Sequence, residues 1–197
     1  MVAARPDLVL IATSTPGGER LSALGLKVLA LEPKTHADMR RVLQTLTLAL
    51  GLPTAQGDKV WAQIDQELSR VAQSIPDNQR DLRVYVEVST VPHAASTSSF
   101  LGETLQRLGQ RNIVGAENGP FPQVNPEWVV RQQPDVILAA DTHIASMLAR
   151  PGWKSLRAVQ THRLCGHTPA ESDVLVRPGP RLAEAARLMA RCFQSRP

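Results

Sequence analysis

The chain has 197 residues, 43% of them hydrophobic and 20% charged, which excludes intrinsic disorder and leaves room for one large domain or two small α/β lobes. Its 22 Lys and Arg residues against 18 Asp and Glu give a net charge of +4 without any basic block, so no nucleic-acid footprint is expected. No apolar run approaches the ~20 residues that cross a bilayer, and residues 1–7 lack the basic and apolar regions of a signal peptide.

In chain order, residues 7–12 are a short apolar run behind a proline, as in a strand buried on both faces. Residues 13–18 break it, a short helix follows at 19–24, and Gly25 turns the chain into a second strand at 27–31. A strand-helix-strand unit of this kind implies a parallel pair with a right-handed crossover. Met39, Val42, Leu43, Leu46 and Leu50 then recur at helical spacing over 35–50, with Thr35 as N-cap and Asp38 three residues on. After Gly51-Leu52-Pro53, a second helix carries Val60, Ile64, Leu68, Val71 and Ile75 on one stripe until Pro76 stops it. At about 20 residues it is roughly 30 Å long, enough for a strut across a small domain.

Residues 82–88 alternate in the strand manner and begin a new sheet, followed by a Ser/Thr/Ala/Pro-rich loop over 89–99. A helix is predicted over 100–108, a short strand over 112–114, a loop over 117–125, and a helix opened by Pro126. Residues 135–140 read as a buried strand, 146–159 as a broken helix, 163–165 as a last strand and 182–193 as the closing helix. Arg181, Arg187 and Arg191 on that helix read as a solvated face. Cys165 and Cys192 stand far apart in sequence without a paired-cysteine motif, which favours buried free thiols over a disulfide or a metal site and leaves their oxidation state open.

Arg5-Pro6-Asp7-Leu8-Val9-Leu10 is echoed by Gln133-Pro134-Asp135-Val136-Ile137-Leu138, each followed by a Thr-bearing loop, a helix and a short strand. Two similar lobes on either side of the long helix account for this order, although Pro-Asp before an apolar strand is also common in α/β proteins.

The chain resembles the helical-backbone periplasmic binding proteins of importers for cobalamin, siderophores and haem, most nearly the cobalamin branch. The resemblance is carried by residues 5–10 and 21–28, by the Gly-Pro-Phe-Pro-Gln-Val-Asn-Pro-Glu run over 119–127, by 133–138, by the Trp-Lys-Ser-Leu-Arg-Ala-Val run over 153–159, and by 177–181. It implies two Rossmann-like α/β lobes with parallel sheets, joined by a long rigid helix, with the ligand in the cleft between them. The corresponding division is an incomplete N-terminal lobe at 1–52, the linking helix at 53–76 and a C-terminal lobe at 77–197. The resemblance also implies a periplasmic monomer that needs no intrinsic cofactor and delivers its ligand to the membrane subunits of an ABC transporter. Family members dock there through acidic residues, and Glu19 matches the N-lobe position.

In open parallel sheets ligands lie outside the carboxyl ends of the strands. The candidate site residues are therefore Thr13 and Ser14 in the first lobe, and Ser89, Thr90, His93, Phe121, Pro122, Asp141, Thr142 and His143 in the second. A flat chelate needs an apolar platform, offered by Phe121 and Pro122, and hydroxyl donors, offered by Ser89, Thr90 and Thr142. Phe121 packed beneath a proline-stiffened loop is the competing account. His93 and His143 are candidate axial ligands to a chelated metal, but none of the histidines has metal-site spacing. Trp61, Trp128 and Trp153 read as packing residues. No nucleophile elbow, phosphate loop or dinucleotide fingerprint is present, so an enzyme is not expected. The enzymatic alternative is a chelatase-like protein of the same architecture handling a tetrapyrrole metal, and a third possibility is a truncated homologue that no longer binds.

Overall fold

The apolar run behind Pro6 forms β1 (Val9–Ile11), and the helix α1 (Gly18–Ala23) returns the chain to β2 (Val28–Ala30), which pairs parallel with β1. The computed structural model describes residues 6–194, so Arg5 of the internal echo lies outside the described residues. Leu10 is 53% exposed and Ala30 is also exposed, so this small sheet turns apolar side chains outward.

Helix α2 (His36–Ala49) starts where the capping box foretells: the Thr35 hydroxyl accepts from the Asp38 amide, and the Asp38 carboxylate accepts from the Thr35 amide. It forms a hairpin with α3 (Thr54–Gln73), the 20-residue helix of the sequence reading. Gly57 lets the two helices approach closely, because a Cβ there would meet the Leu43 carbonyl at 2.8 Å. Of the predicted stripe, Ile64, Leu68, Val71 and Ile75 are buried, whereas Val60, near the start of the helix, is 37% exposed.

The second sheet begins with β3 (Arg83–Val86) and continues through α4 (Phe100–Arg107), β4 (Arg111–Asn112), α5 (Pro126–Gln132) and β5 (Val136–Ala140). After α6 (Asp141–Leu148), a 3₁₀ turn and α7 (Arg157–Gln160), the chain enters β6 (Leu164–His167). All pairings are parallel, in the order β4-β3-β5-β6. Strand-helix-strand order thus recurs as β1-α1-β2 and from β5 through α6 to β6, at the two places where the Pro-Asp echo stands.

Two helices close the chain, α8 (Pro169–Val176) and α9 (Leu182–Arg191). The first has no counterpart in the sequence reading, although Thr168 and Glu171 form a capping box there and Pro169 occupies its first turn. One core joins Met39 of α2 and the α3 stripe to Val84, Leu138, Leu105 and Met189. A second, on the other face of the sheet, gathers Tyr85, Ile137, Met147 and Trp153. The connection between the sheets is therefore a helix pair laid along the larger sheet's helices. Arg187 of α9 reaches Glu67 of α3 at 3.3 Å, and Arg107 of α4 bonds Asp65 and Ser69.

The expectation of free thiols is corrected. Cys165 on β6 and Cys192 at the end of α9 form a disulfide, with Cα atoms 5.7 Å apart. Their separation of 27 residues conceals the contact, which exists because α8 and α9 fold back over the sheet.

Candidate functional site

The carboxyl edges of the two sheets meet at the start of α4. Four residues after β2 ends, the Lys34 carbonyl accepts a 2.6 Å hydrogen bond from the Phe100 amide at the first turn of α4. His36 completes the joint: its amide donates to the Glu103 carboxylate, and its Nε2 lies 3.1 Å from the Phe100 carbonyl and 2.9 Å from the Thr104 hydroxyl. Helices of a parallel sheet begin at the carboxyl ends of its strands, so this contact sets the mouth of one sheet beside the mouth of the other.

Burial holds the His36 pKa below the ordinary 6.5 despite the opposing charge of Glu103, and burial likewise lowers that of His167. Both imidazoles are thus neutral in the fold, while the unfolded chain takes up protons below about pH 6.5. The stability this contributes is complete above that value and is lost as pH falls from there through the lower folded values. The thermal midpoint is expected to drop as the pH is lowered below about 6.5, and His36→Gln should flatten that slope. An equal slope in the variant would remove His36 from the account.

The Pro-Phe-Pro loop lies on the same joint. The Phe121 ring packs edge-on against Phe100, with centroids 5.9 Å apart. Its neighbours knit it to the loop after β3: the Ala94 amide donates to the Pro122 carbonyl at 3.0 Å, the Val124 amide to Pro92 at 2.7 Å, and His93 bridges Gln123. Phe121 and Pro122 remain half-buried, neither enclosed nor fully in solvent. Thr90 is exposed, whereas the Ser89 hydroxyl donates to the Val91 carbonyl and lies 3.3 Å from His93 Nδ1. Ser89, Thr90, His93, Phe121 and Pro122 therefore form one continuous rim.

Thr13 and Ser14 lie at the mouth of the small sheet, exposed, but their polar groups are engaged. The Thr13 hydroxyl and the Ser14 amide both donate to Glu32, and the Thr13 bond leads in holding the Glu32 carboxyl below its usual pKa. Glu32 is absent from the sequence reading. An acidic residue one position beyond a strand end was the available signal. Glu19 is exposed in the first turn of α1 and lines an open groove of about 720 Å³ with Ile11, Thr13 and Val28.

Asp141, Thr142 and His143 correct the sequence reading, because they are not in a loop. β5 runs directly into α6, which places all three in that helix's first turn. Asp141 in that first turn faces the positive end of the helix dipole, and its exposed carboxylate fills the space that a Cβ on Gly166 of β6 would take. Asp141 and Thr142 are exposed, but His143 Nδ1 is enclosed without a hydrogen-bond partner. That nitrogen is closed to a metal in this arrangement.

Glu87, also missed, anchors the rim from below. Its carboxylate accepts from both Arg150 terminal nitrogens, at 2.7 and 2.8 Å, and from the Tyr85 hydroxyl at 3.1 Å. Burial, with the Glu87 charge second, raises the Tyr85 pKa and keeps the phenol protonated as a donor. The cavity beneath, lined by Val86, Glu87, Ala139, His167 and Met189, holds about 40 Å³. It has room for a water, not for a tetrapyrrole, so any large guest must sit outside the strand ends.

Two parallel sheets joined at their carboxyl edges, with an aromatic and proline rim at the seam, define a two-sheet solute-binding architecture. The family model described as periplasmic binding protein matches residues 1–170, and the chain belongs to that family. It is 27% identical over 192 residues to the vitamin B12-binding protein of Pectobacterium carotovorum, covering 95% of this chain and 67% of that protein. It is 26% identical over 200 residues to the cobalamin-binding protein of Halobacterium salinarum, covering 96% of this chain but only 54% of the relative. A possible iron-binding periplasmic solute-binding protein from Staphylococcus epidermidis superposes with a TM-score of 0.81 at 20% identity, over 98% of this chain and 78% of that one. At that identity the likeness shows the fold.

Proposed function

We propose that the chain acts as the substrate-binding component of an ABC importer, and that it binds a metal chelate at the seam between its sheets. Cobalamin is the favoured ligand, with a ferric siderophore or haem next. The observation that carries this reading is the position of Phe121, half-exposed on the rim and packed on the same Phe100 that bonds the first lobe. A flat apolar face needs such a platform; the Thr90 hydroxyl on the rim, and that of Thr142 at the start of α6, are assigned as polar contacts for its edges. The names of the B12- and cobalamin-binding relatives support the choice of ligand.

The lobes are taken as residues 1–52 and 77–197 with the linking helix at 53–76. Glu19, exposed in the first turn of α1, is assigned to docking on the membrane subunits, and the setting is periplasmic. Titrating the purified chain with cyanocobalamin, haem and a ferric siderophore while reading Trp fluorescence tests the reading. Saturable quenching by one of them is expected. A folded chain that binds none of the three overturns it.

Phe121→Ala is expected to weaken binding by about 1–2 kcal/mol, roughly five- to thirtyfold in Kd, through lost stacking and apolar contact. An unchanged Kd would place Phe121 outside the site and leave it as a support for Phe100.

A further inference from the structure

Cys165, His167 and Cys192 lie apart from the rim just described, and nothing in the binding reading uses them. Alternate residues of a strand point to the same face, so Cys165 and His167 of β6 project together. Helix α9 packs across that face and delivers Cys192 opposite them. The sulfur, sulfur and imidazole donor atoms all lie within 4.8 Å of one another, with His167 Nε2 4.0 Å from Cys192 Sγ.

We propose that these three side chains form a thiol-gated metal site: with the disulfide reduced, the two thiolates and the imidazole bind one Zn²⁺ ion. A disulfide that only stapled α9 to the sheet would need no imidazole beside it. His167 is 1% exposed, so its ring is held by the surrounding core beside the two sulfurs rather than free in solvent. Two sulfurs and one nitrogen suit Zn²⁺ in tetrahedral coordination, with the fourth position left to water. Access is provided by a groove of about 320 Å³ past Thr161, Arg163, Arg191 and both cysteines.

The chemistry balances with a dithiol as reductant. Its thiolate attacks one sulfur of the disulfide, and a second exchange releases the reagent as its own cyclic disulfide, leaving two protein thiols. Binding then forms two Zn–S bonds and releases the two thiol protons, with no change in the oxidation state of the metal. The oxidised chain has no thiolate to offer, so the same residues alternate between a covalent closure and a metal closure.

The test uses the whole chain, reduced with a dithiol, desalted without oxygen and titrated with Co²⁺ as a spectroscopic probe for Zn²⁺. One equivalent is expected to produce thiolate-to-cobalt charge-transfer absorption, which Zn²⁺ abolishes by displacement and which the oxidised chain never shows. Cys165→Ser and Cys192→Ser should each halve that absorption. His167→Gln should keep the thiolate band but weaken affinity about tenfold or more. One equivalent of Zn²⁺ should also protect both thiols from alkylation, a readout that does not need the His167 variant to fold. The proposal is overturned if the reduced chain takes up no ion, if the oxidised chain binds equally, or if a folded His167→Gln binds unchanged. A reduced chain that loses its circular dichroism and does not regain it with Zn²⁺ overturns it too.

Discussion

Arg150→Ala is expected to cost the fold about 3–5 kcal/mol, the range for removing one partner of a buried ion pair. The Glu87 side chain is wholly buried, and Arg150 is only 14% exposed. Coulombic attraction in such a setting is offset by the desolvation of both charges, so the intact pair contributes little net stability. The loss comes from stranding the carboxylate, for which the Tyr85 hydroxyl alone is insufficient. The double variant Glu87→Gln with Arg150→Met should therefore recover much of what the single change loses. Urea unfolding of the three chains measures this directly. A single-variant loss below about 1 kcal/mol would mean that water reaches Glu87 and that the burial argument is wrong. Because Glu87 follows β3 and Arg150 follows α6, the pair also ties the end of β3, where the rim begins, to the far end of α6.

Trp153→Ala should be of similar size, about 3–5 kcal/mol, as for other large aromatic truncations in a closed core. Trp153 is fully buried, meets Tyr85 edge-on at 6.1 Å and lies beneath the Arg150 guanidinium at 4.6 Å. Its indole nitrogen is enclosed with no acceptor. Trp153→Phe consequently removes no hydrogen bond and even relieves an unsatisfied donor, so it should cost well under half as much as the alanine change. A phenylalanine variant as unstable as the alanine one would show that a bonded indole is required, contrary to this arrangement. Since Trp153 and Arg150 touch, the two alanine changes are expected to be non-additive.

What the sequence made legible follows from how local each signal is. The Thr35 and Asp38 caps, the α3 stripe and the apolar β5 run depend on neighbours within one or two turns, and each element formed where its pattern lies. Helix α8 was legible in principle, since its capping box is local, but its apolar periodicity is faint because only Val174 of it is buried. The start of α6 was not legible. No loop residue separates β5 from it, and the contact of Asp141 with Gly166 lies 25 residues away in sequence. The disulfide and the Glu87–Arg150 pair are tertiary contacts across 27 and 63 residues, with no flanking pattern to announce them. Of the candidate site, the rim from Ser89 to Pro122 could be proposed because strand ends and proline turns are sequence features. That Thr13 is already held by Glu32 could not.

Among the described residues, β1 and β2 each have a free backbone edge, and Leu10 lies open beside them. Unpaired amides and carbonyls next to exposed apolar side chains are a template for another strand. A concentrated solution of this chain should therefore self-associate through this sheet. Charged residues at positions 10 and 30 are the changes that would keep such a preparation clear.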